Sequence, residues 1–197
     1  MHRFLKFLFL AAVSTIISPL AGAAQLIDQN APTNNAFMAG FGQDNLAQSF
    51  QQAASNIVGA GIFLESGVGS TDTVTISLWN NLPNNSGTML ASASTTGTQG
   101  SWADVFWSSV AVTPNTTYYL VFTGNTSLGI AGDTTNQYSR GQVYANAGFG
   151  SFPSYDYTFR TYATDVNAVP EPESYAMLLA GLGLMGFIAR RRKQRTA

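Results

Sequence analysis

The chain of 197 residues is 45% hydrophobic but only 10% charged, contains no cysteine, and has a formal net charge of −1. Between Gln25 and Ala168 only Arg140 and Arg160 stand against eight acids, so the middle of the chain is acidic and lacks the clustered Lys and Arg that phosphates require. Nucleic acid is thereby excluded as a partner, and the missing cysteines exclude disulfides, thiol nucleophiles and thiolate metal sites.

Residues 1–23 read as a secretory signal peptide. Arg3 and Lys6 form a basic start, Phe7 to Ile17 an apolar core, Pro19 a helix break, and Ala21-Gly22-Ala23 a small-residue cleavage site. The apolar core is short for a retained anchor. Cleavage removes His2, the only histidine, and leaves a mature chain that begins at Ala24 or Gln25 outside the cytoplasm.

Residues 24–165 form the predicted domain. Its pattern is short apolar runs of period two, punctuated by Gly, Asn and Pro. The clearest run is Thr73 to Trp79, where Val74, Ile76 and Leu78 point one way and Thr73, Thr75 and Ser77 the other. Asn80 to Gly87 is a turn cluster. About ten strands are predicted: 46–50, 57–64, 73–79, 88–94, 103–107, 110–112, 117–123, 128–131, 142–145 and 155–162. Strands at this spacing, with no convincing helical period among them, predict an all-β antiparallel β-sandwich, most economically of jelly-roll type. The sequons at Asn84, Asn115 and Asn125 each fall in a predicted turn and read as turn residues.

Four phrases resemble, as a set, the "choice-of-anchor" β-sandwich family: Leu46-Ala-Gln-Ser-Phe50, Val74-Thr-Ile-Ser-Leu-Trp79, Gly87-Thr-Met-Leu-Ala-Ser92 and Val112-Thr-Pro-Asn-Thr-Thr-Tyr-Tyr-Leu-Val121. The resemblance covers roughly residues 44–163 and implies the fold. Members mostly have no assigned activity, and no site transfers from them.

Catalysis has few candidate groups in this domain. Without histidine, cysteine or lysine before the tail, no base is available for a nucleophilic triad, and His- or Cys-based zinc sites are excluded. A carboxylate pair drawn from the eight acids is the remaining route, which keeps a glycoside hydrolase as the least favoured alternative. Asp133-Thr-Thr-Asn136 offers oxygens to Ca²⁺ but too few by itself, and an Asx-turn is the simpler reading. No other metal or cofactor is expected. The segment 137–157 concentrates aromatic residues among glycines and small polar groups. Tyr138, Arg140, Tyr144, Phe149 and Phe152 are its candidate sugar-binding residues, since rings stack on sugar faces while polar groups bond hydroxyls. The competing reading places such rings in the core, as period two would place Tyr155, Tyr157 and Phe159.

The last 29 residues differ from the rest. A linker, 166–174, holds Pro170-Glu171-Pro172; an uninterrupted apolar run follows at 175–189; and 190–197 is a basic tail opening with Arg190, Arg191, Arg192 and Lys193. Fifteen helical residues span about 22 Å against about 30 Å of hydrocarbon, a shortfall that snorkelling arginines and an interfacial Tyr175 reduce. The run is read as a weakly held transmembrane helix with its basic, stop-transfer end in the cytoplasm. Triplet, short Gly/Ala/Leu-rich helix and terminal basic cluster together resemble the PEP-CTERM sorting signal, departing from it only in that Glu173 precedes Ser174. That resemblance implies an exosortase as partner, with Pro170, Glu171 and Pro172 as the sorting motif. It implies a precursor transiently held in the inner membrane of a Gram-negative bacterium, then delivery to the cell surface or extracellular matrix. The expected function is a non-enzymatic surface or matrix protein associated with exopolysaccharide or biofilm. A carbohydrate-binding module with a defined sugar site is the alternative.

Overall fold

The computed structural model describes residues 24–65, 71–164, 180–182 and 185. Thirteen strands lie within them: β1 (Gln25–Ala31), β2 (Ala36–Gly40), β3 (Leu46–Gln51), β4 (Asn56–Glu65), β5 (Thr71–Trp79), β6 (Met89–Thr98), β7 (Trp102–Ala111), β8 (Thr117–Gly124), β9 (Gly129–Asp133), β10 (Val143–Ala145), β11 (Gly150–Phe152), β12 (Asp156–Tyr157) and β13 (Phe159–Thr164). All pairings are antiparallel. One sheet runs β1-β13-β4-β9-β12, with β2 added to β9 and β7 to β4; the other runs β11-β10-β3-β8-β5-β6. The domain is an all-β sandwich. The signal segment 1–23 and most of the apolar run 175–189 lie outside the described residues.

Alternation builds the core. On β5, Val74, Ile76 and Leu78 are wholly buried, while Thr75 faces out and its hydroxyl meets Ser94 at 2.7 Å on β6. Beside them in the same sheet lie Phe50 of β3 and Leu120 and Phe122 of β8, and the other sheet brings Ala60, Ile62 and Leu64 of β4 and Phe159 of β13 into the same core. Each such aliphatic side chain contributes about 1.5–3 kcal/mol by leaving water. The turn after β5 closes on a 3₁₀ segment, Pro83–Asn85. A side chain at Gly87 there would meet the Asn81 carbonyl oxygen at 2.1 Å, so only glycine fits.

Three boundaries differ from the sequence pattern. The expected strands 103–107 and 110–112 are one strand, β7, with a register shift opposite Ile57 and Gly59. The expected strand 155–162 divides at Thr158, because β12 pairs with β9 whereas β13 pairs with β1 and β4. Thr158 bridges the change, its N–H donating to Ala131 and its carbonyl accepting Phe63 N–H. β1, β2 and β11 went unpredicted, since polar Gln25–Ala31 and short Ala36–Gly40 and Gly150–Phe152 show little alternation.

Candidate functional site

The predicted sugar-binding residues do not form one surface. Tyr138 is buried: its ring sits edge-on to Phe159 at 5.0 Å, and its hydroxyl donates to Gln29 Oε1 at 2.9 Å while accepting Gln51 N–H at 3.3 Å. Arg140 Nη2 donates to the same Gln29 oxygen and to the Gln51 carbonyl at 2.6 Å. Tyr144 and Phe149 belong to a small cluster on the outer side of the second sheet with Ala47, Leu82 and Val121, and Tyr144 meets Tyr119 edge-on at 5.7 Å. Of the five, Phe152 lines a cavity of about 330 Å³ and Tyr138 a smaller one of about 110 Å³.

Beside Tyr138 lies a buried polar knot. Asp156 Oδ1 accepts Gln48 Nε2 at 3.0 Å and its Oδ2 accepts Tyr138 N–H at 3.0 Å. Burial pushes this carboxyl upward, the two donors oppose that, and the neighbouring Asp133 adds to the rise. Asp133, the register partner of Asp156, experiences the reverse balance: burial raises it, but bonds from Thr135, Gln137 and Asn35 outweigh burial and hold it low. Its oxygens accept Asn35 Nδ2 (2.8 Å), Thr135 N–H (3.1 Å), Thr135 Oγ1 (2.8 Å) and Gln137 N–H (3.2 Å), the local Asx-turn pattern. Both carboxylates touch a cavity of about 110 Å³, yet each residue is at most 2% exposed. Among the described residues, no three His, Cys, Asp or Glu gather as metal ligands would.

A second group lies on the outer face of the first sheet. Strand β4 presents Gly59 and Gly61 there, flanked by Phe106 and Asp104 of β7 and by Tyr162 and Arg160 of β13. Across Gly61, Arg160 Nε donates to Asp104 Oδ1 at 2.8 Å and Nη2 to Oδ2; Tyr162 hydroxyl also donates to Oδ1 at 2.9 Å. Across Gly59 the Phe106 and Tyr162 rings meet at 5.0 Å. The guanidinium of Arg160 lies 4.1 Å over Trp102, whose edge contact is Phe63. This plate covers bare glycine backbone, and its broadest ring, Trp102, already has a face occupied. The paired glycines at alternate positions of β4 are the one sequence signal that could have pointed to it.

A third site opens where the two sheets part. Met38 of β2 and Tyr157 of β12 face Val143 and Ala145 of β10 and Phe152 of β11, around about 330 Å³. Gln43, Thr134, Asn146 and Tyr155 complete the lining. The β11–β12 turn is held in place because Tyr155 N–H donates to Phe152 and Val143 N–H donates to the Tyr155 carbonyl. Tyr157 is 1% exposed and its ring stands edge-on to Phe122 at 5.7 Å, yet no group among the described residues partners its hydroxyl. Leaving such a buried group unsatisfied costs about 1–3 kcal/mol.

The remaining signal is in the tail. Residues 168–193 match the PEP-CTERM protein-sorting motif. The chain carries a PEP-CTERM sorting tail. No curated protein sequence matches the chain. The motif marks an exported protein sorted at the membrane in an exosortase-dependent way. It spans Pro170, Glu171 and Pro172 as well as Arg190, Arg191, Arg192 and Lys193, all of them outside the described residues. Of the apolar run, Ala180–Leu182 and Met185 are helical. Among the described residues no helix is long and apolar enough to cross a membrane. The domain places its ends together: Gln25 pairs with Thr164 at the β1 edge, so the first and last strands of the sandwich begin and end side by side.

Proposed function

We propose that this is a non-enzymatic surface or matrix protein of a Gram-negative bacterium whose β-sandwich associates with extracellular polysaccharide once an exosortase has processed the tail. The observation that carries the reading is the sorting motif at residues 168–193, directly behind a self-contained β-sandwich. In the precursor, the run 175–189 spans the inner membrane and Arg190 to Lys193 hold its end in the cytoplasm. Pro170 and Pro172 keep the backbone around Glu171 extended, in the form a protease binds. A non-catalytic role is supported by Asp133 and Asp156, carboxylates paired across β9 and β12, whose oxygens are buried and already engaged.

The test is Glu171→Ala in an exosortase-bearing host. The expected outcome is an uncleaved form retained in the inner membrane. A variant that reaches mature size and the cell surface unchanged removes the exosortase reading. The second reading, a module with a defined sugar site, is favoured by the cavity that Phe152 and Tyr155 frame.

A further inference from the structure

The second sheet is almost free of charge. Its strands β3, β5, β6, β8, β10 and β11, with the loops 80–88 and 146–149, contain one charged residue, Asp72. That carboxylate is turned to Thr73 N–H and the Ser127 hydroxyl at the end of β5. The strands of the first sheet, by contrast, carry Asp28, Glu65, Asp104, Asp133, Asp156 and Arg160. A face turned only to water ordinarily mixes charges of both signs.

On the outer side of this uncharged sheet three rings gather, each partly exposed. Trp79 of β5 is the register partner of Tyr119 on β8, and Tyr144 of β10 lies across β3 from them, edge-on to Tyr119 at 5.7 Å. Between them β3 presents only the small Ala47 and Ser49. Two loops hold the rings in place. Leu82 from one and Phe149 from the other pack on Ala47 and Val121, and Asn84 Nδ2 ties the loops by donating to the Gly148 carbonyl at 2.7 Å. Phe149 sits at φ 54°, a left-handed backbone that bulky residues rarely take, and such strain clusters where a site needs fixed geometry. Trp79 Nε1 is anchored too, donating to Ser77 Oγ at 2.9 Å. Around the rings lie hydroxyls and an amide: Gln142 donates to Ser151 at 2.6 Å, and Thr75 meets Ser94 at 2.7 Å. Met89, 52% exposed, is the one large aliphatic side chain that stands open among the described residues of this sheet.

We propose that this outer face binds a neutral polysaccharide chain, its sugar faces stacked on Trp79, Tyr119 and Tyr144 and its hydroxyls bonded by the polar groups around them. An acidic polymer would give up hydration and meet no cation in return. A second copy of this chain would need a continuous apolar patch to bury, and here hydroxyls interrupt it. From β5 to β10 the rings span three strand spacings, about 14 Å. That is longer than one sugar unit, so the face takes the interior of a chain. The proposal deepens the polysaccharide reading given above and rests on it for the biological source of the sugar.

The experiment is calorimetric titration of the full-length protein in detergent micelles with neutral gluco-, galacto- and manno-oligosaccharides, beside hexuronate oligosaccharides of equal length. At least one neutral series binds, and the hexuronates bind at least about tenfold more weakly. Trp79→Ala and Tyr144→Ala each weaken the neutral binder about tenfold, with β-sheet circular dichroism retained. Phe152→Ala, at the cavity, leaves binding unchanged. Trp79→Phe keeps the packing and removes the sugar-induced change in tryptophan fluorescence, because Trp102 and Trp107 sit on β7 of the other sheet. The proposal is overturned if no neutral oligosaccharide binds, if hexuronates bind equally, if the fluorescence change persists in Trp79→Phe, or if both alanine variants bind like wild type. Binding lost in Phe152→Ala places the sugar in the cavity instead, and a dimer that Tyr144→Ala turns into monomer assigns the face to a second copy. Cosedimentation with matrix polysaccharide that survives both alanine substitutions sinks this face while sparing polysaccharide association. Oligosaccharide binding without cosedimentation removes the matrix reading and keeps the face.

Discussion

Gly61→Ala is the sharpest probe of how the first sheet is held together. A Cβ at this position would stand 2.0 Å from Asp104 Oδ1, closer than real contacts allow, and a tight 3.1 Å from its Cγ. The carboxylate must swing away, which breaks its two bonds to Arg160 and the one from Tyr162. The Arg160 and Asp104 side chains are only 20% and 23% exposed, so solvent screens the pair partially. Charge-assisted bonds contribute about 1.5–3 kcal/mol each when well shielded, and with partial re-solvation the set loses about 2–4 kcal/mol. Alanine in place of glycine in a strand returns about 0.5–1 kcal/mol through lower unfolded-state entropy. The net loss is about 1–3 kcal/mol, or roughly 4–10 °C in melting temperature for a domain of this size. Thermal and urea unfolding should be measured in a cycle with Asp104→Ala. In that background the obstructing oxygen is gone, so Gly61→Ala should be neutral or slightly stabilising. An equal loss in both backgrounds would refute the claim that the glycine exists to admit the ion pair.

Two further outcomes follow from the same geometry. Burial, followed by the bond to Asp104, pushes the Tyr162 hydroxyl up to about 12, above its unfolded value near 10. Its contribution to stability is therefore complete below about pH 10 and lost as pH rises through about 12; Tyr162→Phe should flatten urea-midpoint curves across that window, and an unchanged alkaline slope would contradict this. Tyr138→Phe should lower stability by about 1–2 kcal/mol, by unpairing Gln29 Oε1 from one donor and Gln51 N–H from its acceptor, while leaving oligosaccharide titrations unaltered. Loss of sugar binding in that variant, with stability intact, would return Tyr138 to the binding surface.

Residues that act through their immediate neighbours were legible from the sequence. The sorting tail is recognised as a linear peptide, so triplet, apolar run and basic cluster carry their meaning without a fold. Val74, Ile76 and Leu78 declared their burial because the two-residue strand period needs no knowledge of the partner strand. Asn115 declared its turn because asparagine tolerates the left-handed backbone it adopts at φ 59°.

Tertiary structure alone decided the rest, because antiparallel pairing joins residues that sequence distance hides. Tyr138 looked like an exposed ring until its hydroxyl met Gln29, 109 residues earlier in the chain. Asp104 and Arg160, 56 residues apart, became a pair only because both strands flank Gly61. Tyr157 followed the expected alternation into the core, but its unpartnered hydroxyl could be seen only once β2, β10 and β11 had closed around it. Period two assigns a residue to a face of its strand; which strands lie beside it, and in what register, sets what that face touches.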